Sequence, residues 1–516
     1  MNGADLLCET LLANDVDVCF ANPGTSEMHF VAALDRQPRM RCVLGLFEGV
    51  VTGAADGYAR MADKPAATLL HLGPGLANGL ANLHNARRAR TPMVNIVGDH
   101  ATYHLQYDAP LTSDIESLAR PMSHWVERAD TADAVGTRTE EAIRVARAQP
   151  GQIATLILHA DAAWNDVTSD AMPSPIEIAS PNKPDAVRIR DAAAALRNGR
   201  TTTILVSGKA LREGELETLD RIAQRTGARL MAQQSNGRMQ RGAGRVVLDR
   251  VPYVIDLAVA AFADTEQVIL IAANAPVGFF AYPGKPSSML PEGCTTFDLT
   301  EPGQDVAAAI AALAGEVGVG EARPKLAPRH RPDMPAGALT KEAIAIALAL
   351  HMPANAVVCD ESVSSGRDFF RYTYGAEPHD FLQLTGGAIG IGLPLATGAA
   401  IACPDRKVVA LQADGSGMYT VQALWTQARE RLDVVTIIFA NRRYQILHGE
   451  LKNVGAGAPG ENASRMLDLV DPALDWVGLA AAMGVEGARA ESAEQFSDLL
   501  RAACGRKGPF LIEAMI

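Results

Sequence analysis

Short apolar runs of strand-like composition alternate with alanine-rich stretches along the whole chain, and this alternation constrains the fold more than any other feature. In the first third of the chain, the runs predicted to be buried strands are 16–21, 66–72, 93–97 and 153–158. Strands that are apolar on both faces and are separated by helices form parallel sheets covered by helices on both sides. The alternation therefore predicts an α/β fold of doubly wound parallel sheets.

Two proline-rich segments, 172–184 and 323–335, divide the chain into three such sets. The strands predicted after the first segment are 202–207, 229–232, 267–273, 295–299, 356–359, 407–412, 434–440 and 509–514. A length of 516 residues also fits about three domains, at ~150 residues per domain. We predict three consecutive domains, at 1–170, 185–322 and 336–516.

The charge balance excludes some partners. The chain carries 47 Lys and Arg against 59 Asp and Glu, which gives a net charge of −12. Nucleic-acid binding needs clustered cations, and the nearest cluster is only Arg87, Arg88 and Arg90. No apolar run reaches the ~18–20 residues that span a bilayer. A secretion signal begins with basic and then apolar residues, whereas this chain has Asp5 and Glu9 in that region. We therefore expect a cytoplasmic protein without a nucleic-acid or membrane partner.

Polar residues follow two neighbouring strands near the C-terminal end of the chain. The strand that ends at 412 leads into Asp414, Gly415 and Ser416, and the next strand ends at Asn441. The carboxyl ends of successive strands are where open α/β sheets bind ligands. Carboxylate and amide oxygens, with a backbone carbonyl, suit Mg²⁺, while Gly415 and Ser416 can donate to a phosphate at a helix start. Taken alone, each residue is more often structural, with Asp414 as a helix cap and Asn441 as the end of a strand, but together they favour a Mg²⁺-diphosphate site.

Glu48 is a second candidate, because it begins a predicted helix among small residues such as Gly49, Gly53 and Gly57. Small residues permit close packing, and a lone carboxylate among apolar neighbours is costly to bury without a partner. The alternative is structural, since a carboxylate in the first turn of a helix interacts favourably with the helix dipole.

A third candidate is the glycine-rich segment 384–394, in which Gly387 and Ile389 stand out. Glycines around one β-branched side chain allow the backbone to approach a ligand closely, while the single apolar side chain supports that ligand. A glycine-rich helix start packed on a neighbour is the alternative. Upstream, Glu361 and Ser364 follow a predicted strand and are further candidates.

The segment from His71 to Gly79 follows a strand and opens a helix, as a dinucleotide site does. Pro74 lacks an N–H and the glycine spacing differs from that motif, so a nucleotide-binding oxidoreductase remains only a rival interpretation. Thr25 and Ser26, in the loop after the first strand, are either substrate hydrogen-bond donors or caps of the next helix. His100 and His104 have metal-like spacing but no evident third ligand, which favours polar residues at the edge of a pocket.

These motifs resemble those of thiamine-diphosphate-dependent enzymes of the acetolactate synthase, benzoylformate decarboxylase and pyruvate oxidase family, in particular the acetolactate synthase large subunit. The resemblance covers the whole chain in the order pyrimidine-binding, central and diphosphate-binding domain. Two departures occur in the diphosphate motif, where Ala413 replaces the usual first glycine and Ala440 replaces the first asparagine. Neither replaces a presumed metal ligand.

The resemblance implies two cofactors, thiamine diphosphate and Mg²⁺, and assigns residues to both. Glu48 would hydrogen-bond the aminopyrimidine N1′, Gly387 would offer its carbonyl to the 4′-amine, and Ile389 would support the bent cofactor. The metal ligands it implies are Asp414, Asn441 and Arg443, the last through its backbone. The cofactor contacts it implies are Glu48, Glu361, Ser364, Gly387, Ile389, Asp414, Gly415, Ser416, Asn441 and Tyr444. FAD is not expected, because the short central domain gives no clear sign of it.

The resemblance also implies a reaction. The enzyme would be a 2-oxo-acid decarboxylase or carboligase that acts through a C2 carbanion and an enamine on a small 2-oxo acid or aldehyde. The catalytic residues would be Glu48, His71, Thr25 and Asn78. An acyloin or 2-hydroxyacyl lyase on the same cofactor is the alternative, and a non-catalytic protein is more distant. Active sites would lie between chains of a homodimer or homotetramer, with Glu48 of one chain facing Asp414 of another.

Two positions bear on the substrate. Acetolactate synthases carry a tryptophan after the Asn motif, where this chain has Glu450, and a carboxylate facing the pocket would disfavour an anionic second substrate. Benzoylformate decarboxylase has a second histidine in its central domain, where residues 274–284 of this chain have none. Neither specificity pattern is therefore complete.

Overall fold

Three sheets form the framework of the protein. The computed structural model describes residues 1–168 and 172–516, so the expected domain boundary at 170 lies outside the described residues. Neither 172–181 nor 323–335 contains a helix or an extended strand.

The first sheet is parallel and has the strand order β2-β1-β3-β4-β6-β5. Its central strands β4 and β6 are buried along their whole length, because helices cover both faces. Its strands are β1 (Val18–Asn22), β2 (Arg41–Leu44), β3 (Ala66–Leu70), β4 (Met93–Asp99), β5 (Trp125–Ala129) and β6 (Ile153–His159). Its helices are α1 (Gly3–Ala13), α2 (Met28–Asp35), α3 (Glu48–Ala62), α4 (Leu72–Ala89), α5 (Ile115–Ala119), α6 (Ala132–Arg147) and α7 (Ala160–Trp164).

The second sheet is also parallel, with the order β10-β8-β7-β11-β12. Strands β7 and β11 pair in register from Thr202 opposite Gln267 to Val206 opposite Ile271. The strands in this part of the chain are β7 (Thr202–Val206), β8 (Arg229–Ala232), β9 (Met239–Arg241), β10 (Asp249–Arg250), β11 (Gln267–Ile271) and β12 (Thr295–Asp298). Its helices are α8 (Ala186–Arg197), α9 (Glu213–Thr226), α10 (Ile255–Phe262) and α11 (Val306–Val317).

The third sheet has the order β17-β18-β16-β15-β13-β14-β9. It departs from the expected all-parallel pattern at one edge, where β9 pairs antiparallel with β14 although its residues belong to the predicted central domain. The strands are β13 (Ala356–Glu361), β14 (His379–Gln383), β15 (Val408–Ala413), β16 (Val434–Ala440), β17 (Glu486–Ala490) and β18 (Phe510–Met515). The helices are α12 (Lys341–His351), α13 (Phe369–Tyr372), α14 (Gly392–Ala402), α15 (Asp414–Gly417), α16 (Ala423–Arg429), α17 (Gln445–Asn453), α18 (Glu461–Leu467), α19 (Trp476–Ala482) and α20 (Ala493–Gly505).

The first and third sheets are joined by the close packing of α3 on α14. A Cβ atom added at Gly57 would lie 2.1 Å from the Leu395 carbonyl oxygen, and one added at Gly398 would lie 1.8 Å from that of Ala54. Glycine is therefore required for the two helix backbones to approach this closely. At the start of α3, the Asn82 side-chain amide lies 2.7 Å from the Gly49 carbonyl oxygen and 3.4 Å from that of Gly390, so this end of α3 lies beside the glycine-rich segment that precedes α14.

No helix in residues 1–168 or 172–516 has the length and apolar character needed to cross a membrane.

Candidate functional site

Glu48 is buried at the start of α3, as its position in the sequence predicts. Its carboxylate accepts a hydrogen bond from the side-chain amide of Asn78, with 3.0 Å between Nδ2 and Oε2. Gly75 leaves room for this carboxylate, because a Cβ there would lie 3.1 Å from Glu48 Oε1. The structure thus brings together two of the predicted catalytic residues, and the orientation of the carboxylate is fixed by Asn78.

His71, which follows β3, and Thr25, which lies in the loop after β1, border a small cavity of about 260 Å³. Ser26, His100, His104 and Trp164 also line it. Ser26 does not cap α2, because its hydroxyl donates to the Glu27 carboxylate instead. The rings of His100 and His104 lie 5.4 Å apart, and across the described residues no group of three His, Cys, Asp or Glu could hold a metal ion.

Glu27 is the residue of this loop that the sequence analysis did not single out. It is buried, and its carboxylate oxygens lie 2.9 and 3.1 Å from Nδ1 of His71. The only signal in the sequence is a glutamate directly after Thr25 and Ser26. Its burial and its contact with His71 depend on tertiary structure.

Asp414 begins the short helix α15 at the carboxyl end of β15, and its side chain is buried. Its carboxylate accepts from the N–H of Gly415 at 2.8 Å and from that of Arg442 at 2.6 Å. Burial nevertheless raises the pKa of Asp414 to about 6. A desolvated carboxylate gains more than an exposed one from a bound cation, which suits a metal ligand.

Asn441 follows β16 and lies at the same edge of the sheet as Asp414. Its side-chain oxygen accepts from the N–H of Arg443 at 3.0 Å, and its amide lies 3.4 Å from the Ser365 hydroxyl. The Arg443 guanidinium is exposed and has no oxygen, so only the backbone carbonyl of this residue can serve as a metal ligand. Ser365, next to the predicted Ser364, was not anticipated, and Ser364 itself is half-buried.

Gly415, Ser416 and Tyr444 lie beside Asp414. A Cβ at Gly415 would lie 2.4 Å from the Tyr444 ring, so glycine is needed for the ring to cover this turn. The Ser416 hydroxyl accepts from the Gln412 side chain at 2.6 Å. Carboxylate, amide and carbonyl oxygens next to backbone N–H groups are the donors that a divalent cation and a diphosphate need, so the residues fit the predicted groups.

Glu361 holds the glycine-rich segment in place. Its buried carboxylate accepts from the N–H of Gly390 at 2.5 Å and from that of Gly392 at 2.6 Å, and Gln412 donates at 3.2 Å. Gly387 and Gly390 have φ of +80° and +99°, a backbone conformation that favours glycine. The Glu361 carboxylate therefore holds the backbone of this segment at Gly390 and Gly392, just after the predicted cofactor contacts Gly387 and Ile389.

We expect the Glu361→Gln substitution to flatten the pH dependence of stability. Burial raises the pKa of Glu361 to about 7, so the folded state binds this proton more tightly than the unfolded state. The stabilisation is present in acid and is lost as the pH rises through about 7. The midpoint of thermal unfolding of the cofactor-free wild type should fall more steeply than that of the variant between about pH 5 and pH 8. The exposed Glu461→Gln substitution serves as control, and equal slopes in all three proteins would contradict this role of Glu361.

Asn85 of α4 binds the other side of the same segment. Its amide donates to the Ala388 carbonyl at 2.7 Å, and its oxygen accepts from the N–H of Gly386 at 3.1 Å and from that of Ala388 at 3.3 Å. Both side chain and segment lie between the first and third sheets.

Replacing Asn85 by Ala should destabilise the protein by about 2–4 kcal/mol, because buried peptide groups would lose their partners. Differential scanning calorimetry should show a lower unfolding midpoint, and thiamine diphosphate should bind more weakly. Asn274→Ala, at an exposed position in the central part of the chain whose backbone N–H donates to Gln233 and is kept by alanine, should change neither quantity. A variant at Asn85 with wild-type stability would show that this residue does not support the glycine segment.

A second cavity, of about 900 Å³, lies over the third sheet and is bordered by Glu361, Gly387, Ile389 and Tyr444. Glu450 also lines it, together with aromatic residues that include Phe279. This cavity shares no lining residue with the smaller cavity beside His71. Within one chain, Thr25 and His71, which are predicted to act on substrate, therefore line a different cavity from Gly387 and Ile389, which are predicted to contact the cofactor.

Comparison with known proteins identifies the family. Residues 1–125 match the family described as thiamine pyrophosphate enzyme, N-terminal TPP binding domain, and residues 364–514 match the corresponding C-terminal TPP binding domain. IlvX of Mycobacterium tuberculosis, which is named provisionally as an acetolactate synthase large subunit, is 50% identical over 100% of this chain and 99% of its own length. The chain belongs to the thiamine pyrophosphate enzyme family.

Other members of the thiamine pyrophosphate enzyme family match along the whole chain. Benzoylformate decarboxylase of Pseudomonas aeruginosa is 28% identical, over 98% of this chain and 97% of that one. The solved structure of a thiamine diphosphate-dependent 4-hydroxybenzoylformate decarboxylase from Rhodococcus jostii has a TM-score of 0.84 at 23% identity, covering 99% and 98% of the two chains. The latter establishes the three-sheet fold. The chain is thus a thiamine pyrophosphate-dependent enzyme of the acetolactate synthase and benzoylformate decarboxylase group.

The two matched domains contain most of the predicted site. Glu48 and His71 lie within the N-terminal TPP binding domain, and Asp414 and Asn441 lie within the C-terminal one. Glu361 lies three residues before the matched C-terminal domain, which begins at residue 364. Its carboxylate nevertheless binds Gly390, which lies inside that domain. The assignment of individual residues to cofactor or substrate remains a prediction.

Proposed function

We propose that the protein is a thiamine-diphosphate- and Mg²⁺-dependent 2-oxo-acid decarboxylase or carboligase of the acetolactate synthase type. The observation that carries this proposal is the buried Glu48 carboxylate, oriented by Asn78 at the start of α3. A desolvated carboxylate fixed in this way suits the task of holding a proton against the aminopyrimidine N1′. When bound, thiamine diphosphate supplies the electron sink for the loss of CO₂ from a 2-oxo acid.

The diphosphate end of the site would be built from the loops after β15 and β16. Asp414, Asn441 and the Arg443 carbonyl would bind Mg²⁺, and their oxygens match its preference for hard ligands. The backbone N–H groups of Gly415 and Ser416 would donate to the diphosphate, with Tyr444 packed over the turn. The donor set and the buried position of Asp414 support this assignment.

The substrate end would be built from the first sheet. The Thr25 hydroxyl would donate to the substrate carboxylate, and His71 would give or take a proton at the reacting carbonyl. Asn78 would act through Glu48, because its side-chain amide orients the Glu48 carboxylate.

We propose that the active unit is at least a homodimer, in which Glu48 of one chain faces Asp414 of another; a homotetramer would contain the same pairs. Two features support this. Thr25 and Asn78 are exposed in the single chain, although they are predicted to touch substrate. In addition, the cavities beside His71 and above Gly387 share no lining residue within one chain, which fits a site assembled from two chains.

A panel of 2-oxo acids and acyloins tests the reaction. Purified protein with thiamine diphosphate and Mg²⁺ should release CO₂ from at least one 2-oxo acid, with an aldehyde or acyloin as product. Cleavage of acyloins or 2-hydroxyacyl compounds without CO₂ release would instead establish the lyase alternative. No thermal shift on adding thiamine diphosphate and Mg²⁺, with no turnover of either class, would refute both.

Glu450 is proposed to select against an anionic acceptor. It lies on α17 and lines the larger cavity. Burial is the main cause of the raised pKa of the Tyr253 hydroxyl, and the negative charge of Glu450 raises it further. Like charges in a partly desolvated cavity repel strongly. Glu450→Gln should therefore increase carboligation to a 2-oxo-acid acceptor, relative to a neutral aldehyde, by at least about tenfold.

The ratio of the two carboligation products, separated by chromatography, measures this effect. Glu450→Asp keeps the charge and should keep the wild-type ratio. If the Gln and Asp variants give the same ratio, Glu450 does not control the choice of acceptor.

A further inference from the structure

Glu27 occupies an unusual position for a carboxylate. It lies in the loop between β1 and α2, with only 1% of its side chain exposed. Gly98 at the end of β4 provides the space, since a Cβ there would lie 1.9 Å from Glu27 Oε1. A carboxylate this deeply buried is strongly destabilising unless all its oxygens are paired.

Three groups pair with it. The N–H of Gly24 donates at 2.8 Å, the Ser26 hydroxyl donates at 2.5 Å, and Nδ1 of His71 lies 2.9 Å from Oε2. Because an ionised carboxylate can only accept hydrogen bonds, and Gly24 and Ser26 also donate to this one, the geometry favours a proton on Nδ1 of His71. In a neutral ring with that proton, the lone pair lies on Nε2.

The surroundings of the ring reinforce this arrangement. His71 is the residue before α4, and its ring packs against Gly24, where a Cβ would lie 2.1 Å from Nδ1. The ring is thus confined between the loop and the carboxylate, and 22% of the His71 side chain is exposed. The same ring borders the cavity that Thr25 lines. With Nδ1 engaged, Nε2 is the nitrogen available to a molecule in that cavity.

We propose that Glu27 is a positioning residue that fixes the Nδ1-protonated tautomer of His71, so that His71 exchanges protons with the substrate only through Nε2. This inference rests on the proposed function of the same site. Nε2 of the neutral ring would first take a proton, for example from a substrate hydroxyl, and the resulting imidazolium would give that proton to the oxygen or carbon that gains an electron pair. The electrons of the broken N–H bond return to the ring, and the Glu27 charge stabilises the imidazolium in between.

The tautomer can be measured without cofactor or substrate. In protein labelled with ¹⁵N-histidine, two-bond ¹H–¹⁵N correlation spectra distinguish Nδ1–H from Nε2–H, and His71→Asn identifies the His71 signals by their loss. We expect His71 of the wild type to be protonated on Nδ1. An Nε2–H tautomer in the folded wild type would overturn the proposal, whether or not any variant folds.

Glu27→Gln supplies the second measurement. The amide keeps the size of the side chain but offers one acceptor oxygen to three donors, so the Nε2–H tautomer should become populated. With a turned-over 2-oxo acid, kcat should fall by about 10²–10⁴-fold with little change in KM, because Thr25 is untouched. Glu27→Asp should recover part of kcat. Ser497→Ala, which removes the partner of another histidine, His351, should alter neither the His71 tautomer nor kcat.

The outcomes separate this inference from the proposed function. If the wild type turns over no substrate of either class, the proposed function fails, and with it the catalytic half of this inference, while the tautomer can still be read. If the wild type is active and Glu27→Gln keeps both the Nδ1–H tautomer and the wild-type kcat, the role of Glu27 is refuted and the function stands.

Discussion

The Glu48→Gln variant is expected to bind thiamine diphosphate and to lose its activity almost completely. Glutamine keeps the size of the side chain and can still accept from Asn78, which lies 3.0 Å from the Glu48 carboxylate. It cannot share a proton with the aminopyrimidine N1′, and the loss of a fixed proton-transfer group costs about 10²–10⁴-fold in rate. CO₂ release from a 2-oxo acid measures the activity, and a thermal shift with thiamine diphosphate and Mg²⁺ measures binding.

Glu213→Gln is the matched control, since Glu213 also begins a helix but lies exposed on α9 in the central part of the chain. Its activity and thermal shift should equal those of the wild type. Full turnover by Glu48→Gln would remove the assignment of Glu48 as the activating carboxylate.

The Asp414→Asn variant should fail at the preceding step, because it should no longer retain the cofactor. Residues that only support a metal ligand contribute about 10–100-fold to metal affinity, so a direct charged ligand should contribute at least ~100-fold. The buried Asp414 carboxylate would lose the charge for which Mg²⁺ compensates. Calorimetric titration with thiamine diphosphate in the presence of Mg²⁺ measures the affinity.

Asp405→Asn is the control for this substitution, because Asp405 is exposed in the turn at the opposite end of β15. It should bind the cofactor normally. Circular dichroism checks that Asp414→Asn is folded, and a folded variant with wild-type affinity would show that Asp414 is not a ligand.

The two inactive variants together test whether sites form between chains. When Glu48→Gln and Asp414→Asn chains are co-expressed with different tags, half of randomly assembled dimers are mixed, and each mixed dimer has one intact site. Activity should return to about a quarter of the wild-type value. If both residues of a site came from the same chain, the mixture would remain inactive.

The sequence predicts best the strands that are continuous apolar runs; β14 was missed although it is buried along its whole length, because His379 and Asp380 interrupt its apolar run. For β4 and β16, continuous apolar runs identified the strand to within two residues. Strands β2, β5 and β17 were missed, because Arg41, Glu127 and Arg489 interrupt their apolar pattern. Each of these strands lies at an edge of its sheet, where one side needs no apolar cover.

The candidate site could be read from the sequence where a residue stands at the end of a strand or the start of a helix, as with Asp414 and Glu48, whose roles stay predictions. It was not predictable where a residue acts through a partner distant in sequence. Glu27 reaches His71 from 44 residues away, and Asn85 reaches Ala388 from 303 residues away. No local pattern distinguishes such a glutamate or asparagine from one at the surface, because its partner is set by how the sheets pack.

The antiparallel strand β9 has a consequence for dividing the chain into pieces. Residues 239–241 precede the linker at 323–335, yet they complete the edge of the third sheet beside β14. Arg241 is buried there, 3.6 Å above the Phe370 ring. A fragment beginning at 336 would leave the β14 edge unpaired and open to association with other strands. The linker is therefore a poor place to cut, and the central and C-terminal thirds should be expressed, and should unfold, as one unit.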